Sequence, residues 1–164
     1  MYIFKPLPSW LIHYLNSSDE KPTKVFFRAS TDGGDNIIPT ETLSNNPSDS
    51  FEPKINVSGN SVHVIWTELQ APLTGHDIFF RRSTDDGDSF GPIINLSDNS
   101  GNSTVPEMST SGTDVYVVWQ DTDPGNNEIF FRRSTVNGDN FDATQNISDS
   151  AGISHTPQLA STIG

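Results

Sequence analysis

At 164 residues and 32% apolar content the chain is one domain or a piece of one, and its ten phenylalanines are clustered as in a folded protein, not spread as in a disordered one. A formal net charge of −12, from 9 Lys+Arg against 21 Asp+Glu, argues against nucleic acid or anionic lipid as a partner, because phosphates require a basic face. With no cysteine there is no disulfide, thiolate metal site or cysteine nucleophile, and no apolar run is long enough to insert across a bilayer.

Residues 1–9 hold one Lys and two prolines where a signal peptide has its apolar core, so they are read as an N-terminal extension. WLIHYL, residues 10–15, is the first predicted strand. The segment VFFRASTDGGDNI at 25–37 follows, and it returns as IFFRRSTDDGDSF at 78–90 and IFFRRSTVNGDNF at 129–141, at spacings of 53 and 51 residues. Other landmarks keep the same register: Leu43, Leu96 and Ile147; Pro53, Pro106 and Pro157; Trp66 and Trp119. A repeat of this length made only of strand and turn signals points to a propeller-like array.

Each repeat reads as four short strands. A strand after the proline covers 55–57, 108–110 and 159–161. A tryptophan strand covers 62–67 and 115–120, with 10–15 as its diverged first copy. A Phe-Phe strand covers 25–29, 78–82 and 129–133, and a closing strand covers 37–43, 90–96 and 141–147. VYVVW and IFF are near-continuous apolar runs, which implies sheets covered on both faces. The chain divides into repeats at about 10–51, 52–104 and 105–155 with a last strand in 156–164. That is three four-stranded blades' worth of an all-β propeller, starting at a tryptophan strand and finishing at a proline strand. An unpaired edge strand at each end is an association hazard, so self-association is expected, as a homo-oligomer closed by exchanged ends or as a head-to-tail polymer.

The hairpins carry the most specific motif. In Ser83-x-Asp85-x-Gly87-x-Ser89-Phe90 the Ser and Asp oxygens can accept backbone N–H groups across a tight turn, Gly87 can take a positive φ, and Phe90 anchors the turn. Ser30, Asp32 and Gly34 keep the pattern, with Asn36 and Ile37 replacing the hydroxyl and the aromatic. Ser134, Gly138 and Phe141 keep it with Val136 in place of the acid. On these residues the chain resembles the Asp-box (bacterial neuraminidase repeat) β-propellers, the superfamily that includes the sialidases, over residues 10–164. The resemblance implies a sialidase-like propeller fold, with the hairpins as structural devices at the blade periphery. For a sialidase it further implies an arginine triad on a substrate carboxylate, a Tyr activated by a Glu, and an Asp acid/base. Arg28, Arg81, Arg82, Arg132 and Arg133 all lie on the Phe-Phe strands and read as recurring structural groups. No catalytic residue is assigned.

Three further features concern ligands. Asp121, Asp123, Asn126 and Glu128 are hard oxygen ligands in one short loop, a candidate calcium site, while the alternative is an Asp-Pro-Gly turn joining two strands. No other cofactor is expected. His13, His63, His76 and His155 show no metal-ligand spacing. Asn-x-Ser/Thr sequons at Asn16, Asn56, Asn95, Asn102 and Asn146 suit glycosylation of an extracellular or cell-surface protein. Near-identical repeats favour a non-catalytic structural or binding scaffold. The alternative is a glycan-binding or glycan-hydrolysing propeller, with Trp10, Trp66 and Trp119 as candidate sugar platforms.

Overall fold

The structure, a computed structural model, describes residues 9–15 by their backbone and residues 22–161 other than 31, 33, 38, 40 and 71–74. These described residues are all-β. The first sheet is formed by β1 (Ser9–Leu15), β2 (Lys24–Ser30) and β3 (Glu41–Thr42), the second by β4 (Ser50–Ser58), β5 (Ser61–Leu69), β6 (His76–Ser83) and β7 (Ile94–Asn95), and the third by β8 (Thr104–Ser111), β9 (Asp114–Asp121), β10 (Glu128–Ser134) and β11 (Gln145–Asn146). Within each sheet the strands follow chain order and pair antiparallel. Each is therefore a simple meander, and the three sheets stack face to face as successive propeller blades.

The continuous apolar runs have a direct explanation. Successive side chains of a strand point to opposite faces, so a strand sandwiched between two blades is apolar at every position. On β5, Val62, Val64 and Trp66 face the first blade and pack with Val25, Phe27, Ala29 and Leu43. Ile65, between them, faces the third blade with Ile78, Phe80 and Leu96, and meets Met108, Val115, Val117 and Trp119. Ring pairs repeat across the two interfaces: Phe27 meets Phe90 edge-on at 4.9 Å, and Phe80 meets Phe141 at 5.0 Å. Phe27 and Phe80, fully buried, each contribute about 1.5–3 kcal/mol from their lost water contact.

The blades approach most closely at the edge strands β4 and β8, which marks that side as the inner, axial one. There Thr110 donates to Asn56 Oδ1 at 2.9 Å and Ser58 donates to Gly112 O at 2.7 Å.

Three expectations are corrected. The closing strands are much shorter than 37–43, 90–96 and 141–147, for only two residues of each join the ladder. The Arg81 guanidinium donates to Gly91 O (2.7 Å) and Phe90 O (3.1 Å), and Arg132 does the same to Asp142 O (2.8 Å) and Phe141 O (3.4 Å), so side chains fill the places of a strand partner. The proline strands β4 and β8 are longer than expected and start before the proline, through a β-bulge. Residues 159–161 form no strand. Ser161 instead hydrogen-bonds Thr110 O (2.9 Å) and Ser109 Oγ (2.6 Å), which seats this segment beside β8 much as β8 sits beside β4.

Candidate functional site

The three hairpin turns are alike, and the second and third lie at the end of the blades where the inner strands finish, Asp86 N donating to Asn60 O (2.9 Å) and Asn137 N to Thr113 O (2.8 Å). In the second, Ser83 donates to Asp85 Oδ1 (2.6 Å) and accepts from Gly87 N (2.9 Å), while Asp85 accepts from Ser89 N (3.0 Å) and Ser89 Oγ (2.5 Å). The first turn repeats this with an amide for the hydroxyl: Asn36 N and Nδ2 donate to Asp32 at 2.9 and 2.5 Å, and Gly34 N donates to Ser30 Oγ. The third keeps Gly138 N on Ser134 Oγ at 2.9 Å and holds its shape with Val136 in the acid's place. Gly34, Gly87 and Gly138 all have positive φ, 103°, 87° and 79°, as the turn requires. At Asp32 the backbone N–H of Asn36, then the Ser30 and Asn36 side chains, hold the pKa down at about 2. At Asp85 the Ser83 and Ser89 hydroxyls and the Ser89 N–H do so, also to about 2. A carboxylate that accepts three hydrogen bonds from its own turn acts as a turn clasp.

The loop proposed for calcium does not form a cation cage. Asp121 is fully buried and accepts from Trp119 Nε1 (2.9 Å), Ser103 Oγ (2.7 Å), Asn99 Nδ2 (2.8 Å) and the N–H of Asp123 (2.8 Å). Glu128 points elsewhere, accepting from Ser148 Oγ and from Asn126 Nδ2, and these donors hold its carboxyl below the usual range. Among the described residues no three His, Cys, Asp or Glu side chains converge on a point. Asp121, Asp123, Asn126 and Glu128 are therefore loop ties. The second blade repeats the tie with a longer acid: Glu68 accepts from Trp66 Nε1 and Ser50 Oγ, each at 3.0 Å. Burial pushes its carboxyl up, against these donors and the Lys24 charge.

Other expected ligand groups are also engaged. Trp66 and Trp119 are fully buried, so neither offers a ring face to a sugar. The Trp10 and His13 side chains and the Asn16 sequon lie outside the described residues. His63 is buried against Asn137 and the Phe80 ring. The described sequon asparagines are half-buried, and their side chains tie loops and strands: Asn95 to Asp77, Asn102 to the His76 N–H, Asn56 to Thr110 and Asn146 to the Ser148 N–H. Arg81 and Arg132 cross to the preceding blade at Leu43 O and Leu96 O, and Arg82 crosses to the following one. These arginines form no cluster around a ligand carboxylate.

What sequence reading missed lies at the start of the inner strands. There a bulge sets Glu52 and Pro53 together opposite Trp66, and Val105 and Pro106 opposite Trp119. Glu52, Val105 and Thr156 each have a left-handed backbone, φ 53°, 52° and 52°. For β-branched Val105 and Thr156 that is a strained conformation, and bulges of this kind re-aim side chains beside active sites. Glu52 is exposed and its Oε2 bridges two blades, accepting from Thr67 Oγ1 on β5 and from Val105 N, both at 3.0 Å. Two residues on, Lys54 pairs with Glu107 of the next blade at 2.7 Å, with 42% and 25% of their side chains exposed. In register these positions read Glu52, Val105, Thr156 and Lys54, Glu107, Gln158. Nearly identical repeats thus place unlike polar and charged groups side by side at the axial edge. The signal was in the sequence as a loss of repetition on either side of the repeated proline.

No protein-family model matches the sequence, and no curated protein matches it. Solved structures do match in fold. One is a mutant α-L-arabinofuranosidase from Fusarium graminearum in complex with an iminosugar inhibitor, with TM-score 0.62 and 12% identity over 85% of this chain and 45% of that one. Another is a Penicillium chrysogenum α-L-arabinanase complexed with arabinobiose, with TM-score 0.56 and 13% identity over 77% of this chain and 40% of that one. The chain spans less than half the length of either, and the likeness is one of β-propeller fold.

Proposed function

We propose that the chain forms part of a carbohydrate-recognising propeller, glycosidase-like in design, whose sugar lies against the axial edge at Glu52, Lys54 and Glu107. The observation that carries this reading is the change of chemistry at equivalent inner-strand positions, Glu52 to Val105 and Lys54 to Glu107, inside blades that otherwise repeat. A recognition or catalytic site needs unlike groups converging from neighbouring elements. The near-identity of the repeats favours a scaffold only while it extends to the axis, and there it stops. The fold likeness to an arabinofuranosidase and an arabinanase points the same way.

The chemistry follows from the surroundings of the two acids. Glycoside hydrolysis uses a pair of carboxyl groups in unlike environments, one to protonate the leaving oxygen and one to act as base or nucleophile. Glu107 is ion-paired with Lys54, whereas Glu52 is held by a hydroxyl and a backbone N–H. A neutral sugar fits better than a sialic acid, because Arg81, Arg82 and Arg132 are committed to backbone carbonyls at the blade periphery. The turn pattern keeps the likeness to Asp-box propellers within this proposal, and an extracellular or cell-surface location suits a protein that meets glycans.

The test is hydrolysis and calorimetric binding of p-nitrophenyl α-L-arabinofuranoside, arabino-oligosaccharides and a sialyl substrate by the chain and by Glu52→Gln and Glu107→Gln. Binding or turnover of a neutral glycan, lost in both variants, is expected. Neither binding nor turnover of any of them returns the protein to the scaffold reading.

A further inference from the structure

The third blade leaves uncovered a face that the first two blades bury. Leu43 and Leu96 are both fully buried, but Ile147 in the same register is 55% exposed. Phe27 and Phe80 each receive an aromatic ring from the turn of the following blade, whereas Phe131 stacks only on Tyr116 of its own sheet and lines an open apolar groove with Val118, Ile129 and Ile147. At the opposite end of the stack, Ile37 occupies the position of Phe90 and Phe141, the rings that insert into the preceding blade, and it is 50% exposed.

The interface already present between the second and third blades defines what the open face accepts. There Arg82 donates to Asn137 O at 2.7 Å and to Asp139 Oδ1 at 2.6 Å in the turn of the following blade. In register, Arg133 stands where Arg82 does, and Asp35 of the first turn stands where Asp139 does. Arg133 now bridges to Asp142 of its own sheet at 3.3 Å with 45% of its side chain exposed, and Asp35 is exposed. The inner edge is prepared as well. Residues 157–161 lie beside β8 where a following blade would have its innermost strand, while among the described residues the first sheet has β1 as its innermost strand. By the register of the other blades, Leu159 would fall opposite Leu11, as Ile55 faces Val64 and Met108 faces Val117.

We propose that the open face of the third blade takes the first blade of a second copy of this chain. Ile37 of the second copy packs on Phe131 and Ile147, Asp35 of the second copy pairs with Arg133, and residues 157–161 supply the inner strand beside β1 of the second copy. The contact reproduces the interface between blades two and three in apolar packing, charge and strand order. It is a front-to-back contact, so it closes a ring or propagates according to the rotation between copies. It is independent of any sugar site.

The test is sedimentation of the 18.0 kDa chain from about 1 to 100 μM, with variants outside the inner strands. The proposal expects a concentration-dependent species of two or more chains. Ile147→Asp and Arg133→Glu should each weaken association at least tenfold with the thermal midpoint of the dilute chain unchanged. Asp35→Arg should do the same, and the double variant Arg133→Glu with Asp35→Arg should recover most of the loss. A chain that stays monomeric at 100 μM overturns the proposal. So does association indifferent to Ile147→Asp, or single charge reversals that the double reversal fails to rescue.

Discussion

The hairpin turns and the starts of the inner strands sit at opposite ends of the same blades, and they obey opposite rules. In the turns, residue types change but the hydrogen bonds persist. Asn36 does the work of Ser89, and the Ser134 hydroxyl still meets Gly138 N although Val136 has displaced the acid. At the inner strands the backbone persists, with the same bulge in β4 and β8 and a left-handed residue at all three positions, while the chemistry changes from Glu52 to Val105 to Thr156. A region that keeps its bonds through substitution is specifying shape. One that keeps its shape while changing its charges is where we propose that a ligand is met.

The largest effect that would break this contrast is functional. Glu52→Gln and Glu107→Gln should each lower turnover, or sugar affinity if the site only binds, by about a hundredfold or more, the range of a lost acid–base group. Their thermal midpoints should move little, because the removed charges are exposed or half-exposed; a large drop in stability with unchanged glycan handling would make both acids purely structural.

Next comes backbone strain in the turns. A Cβ at Gly138 would meet the Phe80 ring at 2.5 Å in addition to sitting at φ 79°, whereas at Gly34 nothing lies within 4 Å. Gly138→Ala should therefore cost about 2–4 kcal/mol, from overpacking and left-handed strain together, against about 1–2 kcal/mol for Gly34→Ala from strain alone. Chemical denaturation reads the difference, and equal costs would mean that the third turn is not pressed onto the second blade. Ser83→Ala, which unties Gly87 N, should cost about 1–2 kcal/mol and leave sugar binding untouched.

The smallest effects concern the turn acids. The Ser83 and Ser89 hydroxyls and the Ser89 N–H hold the Asp85 carboxyl down to about 2, below the ordinary aspartate range. A carboxyl depressed in the folded state adds stability that is fully present above its unfolded pKa and is lost as pH falls through the folded one. Stability should thus decline between roughly pH 4 and 2 more steeply in the native chain than in Asp85→Asn. Equal acid profiles would show that the clasp contributes nothing. Val136→Asp, which restores an acid to the third turn, should stay within about 0.5 kcal/mol of the native chain, as for most exposed substitutions.

Much of the fold was legible because its signals are local. Continuous apolar strands such as VYVVW and IFF follow from burial on both faces, and Ser-x-Asp-x-Gly follows from the needs of one tight turn. The closing strands were misread because the groups that replace their ladder, Arg81 and Arg132, come from a neighbouring strand. The loop acids were not legible as ties for a similar reason: Asp121 and Glu128 are close in sequence, but Ser103, Asn99 and Ser148 reach their oxygens from other loops. The sequons read as suited to glycosylation, and the side chains of the described ones, Asn56, Asn95, Asn102 and Asn146, tie loops and strands to one another. Glu52, Lys54 and Glu107 escaped notice because alignment of repeats rewards sameness, and these residues depart from it.

The sequence by itself determined the all-β repeat, its register and the turn chemistry, since hydrophobic runs, glycines and short hydrogen-bonded motifs act over a few residues. Only the tertiary structure decided which acids are tied up by distant donors. A carboxylate's role depends on the donors that reach it from other blades, and no spacing along the chain reveals them. The packing of blade on blade likewise buried Leu43 and Leu96 and left Ile37 and Ile147 exposed, because burial is a property of neighbours in space.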